Sequence, residues 1–425
     1  MYKYKITFVA LKDTLSFVVK SPHKEIIESF VRDLLIIFAS IDDNENLTIN
    51  ALQESSPELQ QQIKDFVNKY NNNLPQLNQI PAFFKKLKEK EQFFFIPKID
   101  LKREETFNLY NQLRASEEGI SFEELNNQMT ELFGDLLNTY HIKSFGDKRT
   151  LIGEPIKENR MCRFCNNQRE NITFENKAHA ISEGLGNKTV VLYDECDNCN
   201  TEFSQTIEPD IIQYLSLFRT IFDIKAKKGS KKFKGKNFDL RKEGSLKLSL
   251  FSEKDGDEKI LFPYKVNLES YENDLICLQN IYKSLAKYFI SVIDKEYLPK
   301  FKKTIEWING GREADNLPKI AEMLSYHSFS PHPKLVCYIR KNDEKTIPFA
   351  VCEFYFTCKI FVFIIPFCEE DDISFIDESQ YNKFWKTFKH YDKSEGWNFW
   401  DFSDNNKRKF SINLNFIHGQ DSLKK

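Results

Sequence analysis

No stretch of this chain is apolar for long enough to span a bilayer: the longest run, IFVFIIPFC at 360–368, is about half of the ~20 residues a membrane helix needs. The opening MYKYKITFVA lacks the basic, apolar and small-residue succession of a secretory signal. No membrane partner is therefore expected, and the cytoplasm is the expected compartment. Charge of one sign is also lacking. With 61 Lys and Arg against 63 Asp and Glu, the formal net charge is −2. That excludes a protein coated in positive charge, and any polyanion must be met by a local patch. Internal repeats are absent, and the one biased tract is a lysine-rich stretch, so solenoid and array architectures are set aside. Histidine is scarce, with seven residues. Nine cysteines, an odd number, occur without an export signal, and four of them form two CxxC pairs, which favours metal binding in a reducing compartment over disulfides.

Aromatic residues are abundant, with 39 Phe and 17 Tyr, while 29% of the chain is charged. Such a composition buries large apolar area beneath a charged surface, and the length suits two or three domains. The expected class is α+β. Residues 1–154 read as an α-rich N-terminal domain with a small sheet and a regulatory or oligomerising role. A hairpin is expected from KYKITFVAL and TLSFVVKS, followed by helical periodicity at 25–41, 58–70 and 123–142, the last opened by a Ser121/Glu124 capping box. Residues 155–224 hold the cysteine pairs. Residues 225–242 read as a basic linker or arm. Residues 243–425 read as an α+β domain in which KLVCYIRK, FAVCEFYFTCK and KIFVFIIPFC form an antiparallel meander beside the helical run 275–293.

Cys162-Arg-Phe-Cys165 and Cys196-Asp-Asn-Cys199 stand thirty residues apart. Two residues between thiolates let a tight turn aim both sulfurs at one point, and two such knuckles supply the four soft ligands of a structural Zn²⁺. A redox pair is the competing explanation. A closed four-thiolate site is not itself catalytic, so chemistry must lie beside it. Cys277, Cys337, Cys352, Cys358 and Cys368 lie in apolar runs and read as core. Between the knuckles, a short strand running toward His179, a glycine-containing turn at Gly184 and Gly186, and a second strand at KTVVLY (188–193) lead into a helix.

The succession CRFC, AHAISEGLGN, ECDNCNTEF resembles the zinc-knuckle branch of the HNH (ββα-metal finger) endonucleases, and its spacing is similar to that of recombination endonuclease VII-type resolvases. The resemblance covers about residues 160–220. It implies a central zinc-stapled finger in which His179 is the general base and Asn200 a ligand of catalytic Mg²⁺ or Mn²⁺. Asn200 would equally suit a helix N-cap, and a lone histidine is often only a core residue. In many members the residue before the base is an acidic or histidine metal ligand; here it is Ala178. Glu208 is the first choice as substitute, with Asp210 and Glu183 as others, because Glu208 lies about two helical turns beyond Asn200 if one helix begins near 200. A helix beginning at Pro209 would undo that reasoning.

Lys227, Lys228, Lys231, Lys232, Lys234 and Lys236 crowd the basic tract and repel one another unless a polyanion neutralises them, with Phe233 available to stack on a base. A solvated loop is the plainer explanation. Arg163 and Arg169 are further phosphate-contact candidates. These features lead to the expectation of a metal-dependent endonuclease acting on DNA, with RNA left open. It would be a homo-oligomer with a protein partner or activating ligand on the flanking regions, by analogy an effector of an anti-phage or restriction system. The alternative is a zinc-stapled nucleic-acid-binding or protein-interaction adaptor whose nuclease site has decayed.

Overall fold

A computed structural model describes all residues except 42–46, 98, 100, 102, 168–171, 226–231, 252–264, 273, 326–327, 392–393 and 416–425. The chain divides into two compact units, Met1–Glu131 and Leu132–Lys425. In the first, β1 (Tyr2–Ala10) and β2 (Thr14–Ser21) form the expected hairpin. They are followed by α1 (Lys24–Ile37), β3 (Ala39–Ile41), β4 (Leu47–Ile49), β5 (Leu52–Glu54), α2 (Pro57–Tyr70), α3 (Ile80–Phe84), β6 (Gln92–Pro97) and α4 (Arg103–Glu118). The main sheet has the order β2-β1-β6-β5 and is antiparallel. Alternation along β1 explains how both faces are covered. Tyr4, Ile6, Phe8 and Ala10 face a core shared with α1, α2 and α3, while Val9 meets Phe94 and Leu113 of α4.

The second unit begins within α5 (Phe122–Thr139), whose Ser121 hydroxyl accepts the Glu124 amide at 3.0 Å as the sequence signature requires. Next come β7 (Tyr140–Phe145), β8 (Thr150–Ile152), β9 (Ala178–His179), β10 (Val190–Leu192), α6 (Asp197–Thr206), α7 (Glu208–Tyr214) and α8 (Ser216–Ile221). The chain continues through β11 (Phe233–Lys234), β12 (Phe238–Glu243), β13 (Ser245–Leu250), β14 (Lys265–Glu269), β15 (Leu275–Cys277), α9 (Leu278–Val292) and α10 (Lys302–Ile308). It ends with β16 (Ile320–Leu324), β17 (Ser330–Arg340), β18 (Ala350–Thr357), β19 (Lys359–Ile364), α11 (Glu378–Trp385), β20 (Asn398–Trp400), β21 (Lys407–Lys409) and β22 (Ser411–Asn415).

The expected meander is β17-β18-β19, the centre of an antiparallel six-stranded sheet of order β20-β16-β19-β18-β17-β7. Its period-2 alternation splits two cores. Leu335, Cys337, Cys352, Phe354 and Phe361 face α9, whereas Val336, Tyr338, Val351, Val362 and Ile364 face α11 and Leu136 of α5. The five cysteines outside the knuckles are buried, as expected of core residues.

Three boundaries differ from the sequence expectation. The first unit ends at 131 rather than 154, because β7 pairs with β17, a partner nearly two hundred residues away. Residues 155–224 and 243–425 are not separate bodies either. Ile181, Leu185, Phe203 and Ile211 share one core with Tyr282, Leu285 and Phe289 of α9. Finally, the described part of 225–242 is not a free arm, since Phe233–Lys234 pairs with β12, which pairs with β13.

Candidate functional site

The two knuckles converge. The sulfurs of Cys162, Cys165, Cys196 and Cys199 all lie within 4.8 Å of one another and can hold a metal ion such as zinc. Cys165 and Cys196 Sγ are 3.8 Å apart, which matches the ~3.8 Å edge of a tetrahedron with Zn–S bonds of ~2.3 Å. Local geometry explains the convergence. Asn166 adopts a left-handed φ of 57° and donates its amide to the Cys162 carbonyl at 2.9 Å, closing the first turn. The Cys196 and Cys199 amides point at Cys162 and Cys196 Sγ at 3.4 and 3.5 Å. The Cys199 thiol and neighbouring backbone amides draw the Cys162 thiol down to about 5, while burial pushes Cys196 up to about 12. One thiolate thus opposes the next, and a divalent cation among them removes that opposition.

Beside this cluster, β9 and β10 pair antiparallel, with Val191 opposite His179, and β8 adds in parallel to β10. The connecting loop is closed by Asn187, whose Nδ2 donates to the Ile181 and Val190 carbonyls at 2.7 and 3.0 Å. Gly186 turns it with a φ of 85° that favours glycine. At Gly184 a Cβ would stand 2.4 Å from Ile212 Cδ1, so any other residue there requires the Ile212 side chain to shift. At the start of α6, Asp197 accepts the Glu175 and Asn176 amides at 2.9 and 2.8 Å, fixing the approach to β9.

β9, α6 and α7 enclose a cleft of about 710 Å³ whose lining includes His179, Glu183, Asn200 and Glu208, with Lys177 and Lys188 on it as well. His179 is half-buried, its Nδ1 is buried without a hydrogen-bond partner among the described residues, and burial holds the imidazole below its ordinary pKa. Asn200 is not the N-cap. That position is held by Cys196, and Asn200 sits in the first turn of α6, which starts at Asp197. Glu208 opens α7 after a break at Ile207, so it and Asn200 lie on successive helices and share the cleft rather than one helix face. Of the substitutes for an acidic residue at Ala178, Asp210 is withdrawn from the cleft: it is buried and accepts Asn280 Nδ2 at 2.7 Å.

Three nucleic-acid-contact expectations change. Arg163 is buried and donates to the carbonyls of Ile290, Ser291 and Ile293 at 2.8, 3.1 and 3.1 Å, capping the end of α9. Phe233 is buried against Phe238 at 4.7 Å, because its strand turns that side chain inward, and is closed to stacking. Lys234 pairs with Asp239 at 2.9 Å. Lys232 and Lys236 are exposed, whereas Lys227, Lys228, Lys231 and Arg169 lie outside the described residues.

A group unforeseen from the sequence lies beneath the cleft. Lys287 of α9 is buried, 3.2 Å from Glu195 Oε1 and 3.1 Å from Glu208 Oε1, with the rings of Phe164 and Phe203 at 5.9 and 5.5 Å. Burial pushes Glu195 up to about 7 against the pull of Lys287. The sequence carried no signal for it: Gln279, Lys283, Ser284, Lys287 and Ser291 fall on one face of α9 and read as a solvated stripe, yet that face is buried, and a buried lysine then needs carboxylates.

No helix among the described residues is long and apolar enough to cross a membrane. No family model matches the chain, and no curated protein or solved structure matches it.

Proposed function

We propose that this protein is a metal-dependent endonuclease of the HNH type that hydrolyses phosphodiester bonds in DNA, with a structural zinc on the four cysteines. The observation that carries the proposal is that one polar cleft beside a four-cysteine cluster is lined by His179, Asn200 and Glu208 together. The antiparallel β9–β10 pair followed by α6 supports it.

The chemistry follows from the groups present. A half-buried imidazole with a lowered pKa is neutral near pH 7 and accepts the proton of an attacking water without first losing one. Asn200 and Glu208 would hold Mg²⁺ or Mn²⁺. A hard amide oxygen and one carboxylate suit Mg²⁺, which keeps several waters and takes substrate phosphate oxygens. When bound, such an ion steadies the charge that develops on the phosphate and the leaving oxygen. Among the described residues, the cysteines are the only group of three or more His, Cys, Asp or Glu placed to share an ion. Asn200 and Glu208 would therefore rely on water and substrate for the remaining coordination. Lys177 and Lys188 are exposed on the cleft and available to phosphate.

The test is incubation of plasmid DNA with the protein and Mg²⁺ or Mn²⁺, alongside His179→Ala. Cleavage by the wild type, reduced roughly 10²–10⁴-fold in the variant, is the expected result. Equal cleavage by both overturns the assignment of the base. Retained binding without cleavage under any divalent metal favours the adaptor reading, for which Ala178 is the motivating residue.

A further inference from the structure

We infer that Lys287 is a positioning residue of the cleft, so that the chain beyond residue 243 is part of the site it flanks; the inference rests on the nuclease reading above. The lysine lies outside the stretch 160–220 that carries the sequence resemblance. Its side chain is 1% exposed and has no route to solvent or substrate, yet it touches three parts of the site. Its Nζ is 3.1 Å from Glu208 Oε1, holding one carboxylate oxygen of a residue that is 13% exposed toward the cleft. It reaches the main-chain carbonyl of His179 at 3.5 Å, on the strand that presents the imidazole. It also pairs at 3.2 Å with Glu195, whose side chain is fully buried next to Cys196. The helix that carries it is fixed on both sides of Lys287. Ser284 Oγ donates to the Ile207 carbonyl at 3.0 Å, just before Glu208, and Tyr288 shares a 2.6 Å hydrogen bond with Ser182, just after β9.

Charge neutralisation alone needs none of this geometry. If Lys287 only balanced Glu195, any arrangement that removed both charges would serve. A buried ammonium that donates to Glu208 Oε1 and to the His179 carbonyl instead fixes where Glu208 and β9 stand relative to each other, in the way outer partners orient carboxylates that bind metal. A ligand pair with only one carboxylate, as Ala178 dictates, depends more heavily on that orientation.

The experiment compares wild type with Lys287→Met and with the charge-balanced double variant Lys287→Met/Glu195→Gln, all in the full-length chain. The single variant leaves two carboxylates without a partner and is expected to lose stability. The double variant removes one charge of each sign and is expected to keep its zinc content and melting transition. Two readouts are then taken on it: cleavage rate over a range of DNA concentrations up to saturation, and hydrogen exchange of peptides covering 176–186 and 278–292 in metal chelator. Positioning predicts at least a hundredfold slower cleavage, KM for DNA within twofold of wild type, and at least tenfold faster exchange confined to 176–186. A double variant that cleaves within threefold of wild type overturns it. If the wild type itself cleaves nothing, the nuclease reading fails instead, and unchanged exchange at 176–186 separately overturns the role of Lys287.

Discussion

The two compact units solve the burial problem differently. Met1–Glu131 packs aromatic rings: Phe8 contacts Phe38, Phe83, Phe84, Phe93 and Phe95, and Phe38 stacks on Phe95 at 4.2 Å. Among its described residues, no Asp, Glu, Lys or Arg is buried. Among the described residues of Leu132–Lys425 thirteen are buried, including Arg163, Asp194, Glu195, Lys287, Glu322, Arg340, Glu353 and Lys359. Buried charge is expensive and is rarely the best route to stability. The core of the first unit is thus built without buried charge, whereas the second carries charges inside it, and Arg163, Asp194, Glu195 and Lys287 lie around the cysteine cluster and the cleft.

The sharpest way to break this contrast is at the cysteines. Cys196→Ser is expected to abolish zinc binding, worth about 10–16 kcal/mol in small zinc sites, and to unfold the region around 160–220 while the transition of Met1–Glu131 persists. Zinc stoichiometry with calorimetry checks it, and retained stoichiometry counts against the assignment. Next in size, Phe8→Ala should cost about 3–5 kcal/mol in the first unit through the cavity left among five rings, with zinc content unchanged; denaturant unfolding reads both.

A pH profile sharpens the comparison further. His179 has its pKa lowered by burial, so the neutral base persists below the ordinary value of about 6.5 and is lost only as pH falls through the lowered value. The acid limb of the single-turnover rate should therefore have its midpoint below about 6.5; a midpoint above it speaks against this residue as the base. The smallest effect concerns nucleic-acid affinity. Lys177→Gln/Lys188→Gln should weaken DNA binding and reduce the salt slope by about 0.9 per lost phosphate contact. Lys234→Gln should change little, because that lysine is paired with Asp239.

What was legible in the sequence was local. The CxxC spacing brought four sulfurs together, alternating apolar residues marked β17, β18 and β19, and Ser121 with Glu124 marked the start of α5. What was not legible was non-local. A boundary at 154 looked natural until β7 found β17, and one helix carrying both Asn200 and Glu208 looked feasible until it broke at Ile207. Phe233 sits in a lysine-rich tract, and only its pairing with Leu240 shows that it turns inward. The dependence of the cleft on Lys287 was hidden because its partners, Glu195 and Glu208, lie some eighty to ninety residues upstream.

The most direct test of the central claim, that His179 and Asn200 act in one site, is a double-mutant cycle on single-turnover cleavage with His179→Ala, Asn200→Ala and both together. Groups acting in one mechanism are strongly non-additive. The account predicts that the double variant is no more than about threefold slower than the slower single variant. Effects that multiply, or an Asn200→Ala variant indistinguishable from wild type, would contradict it.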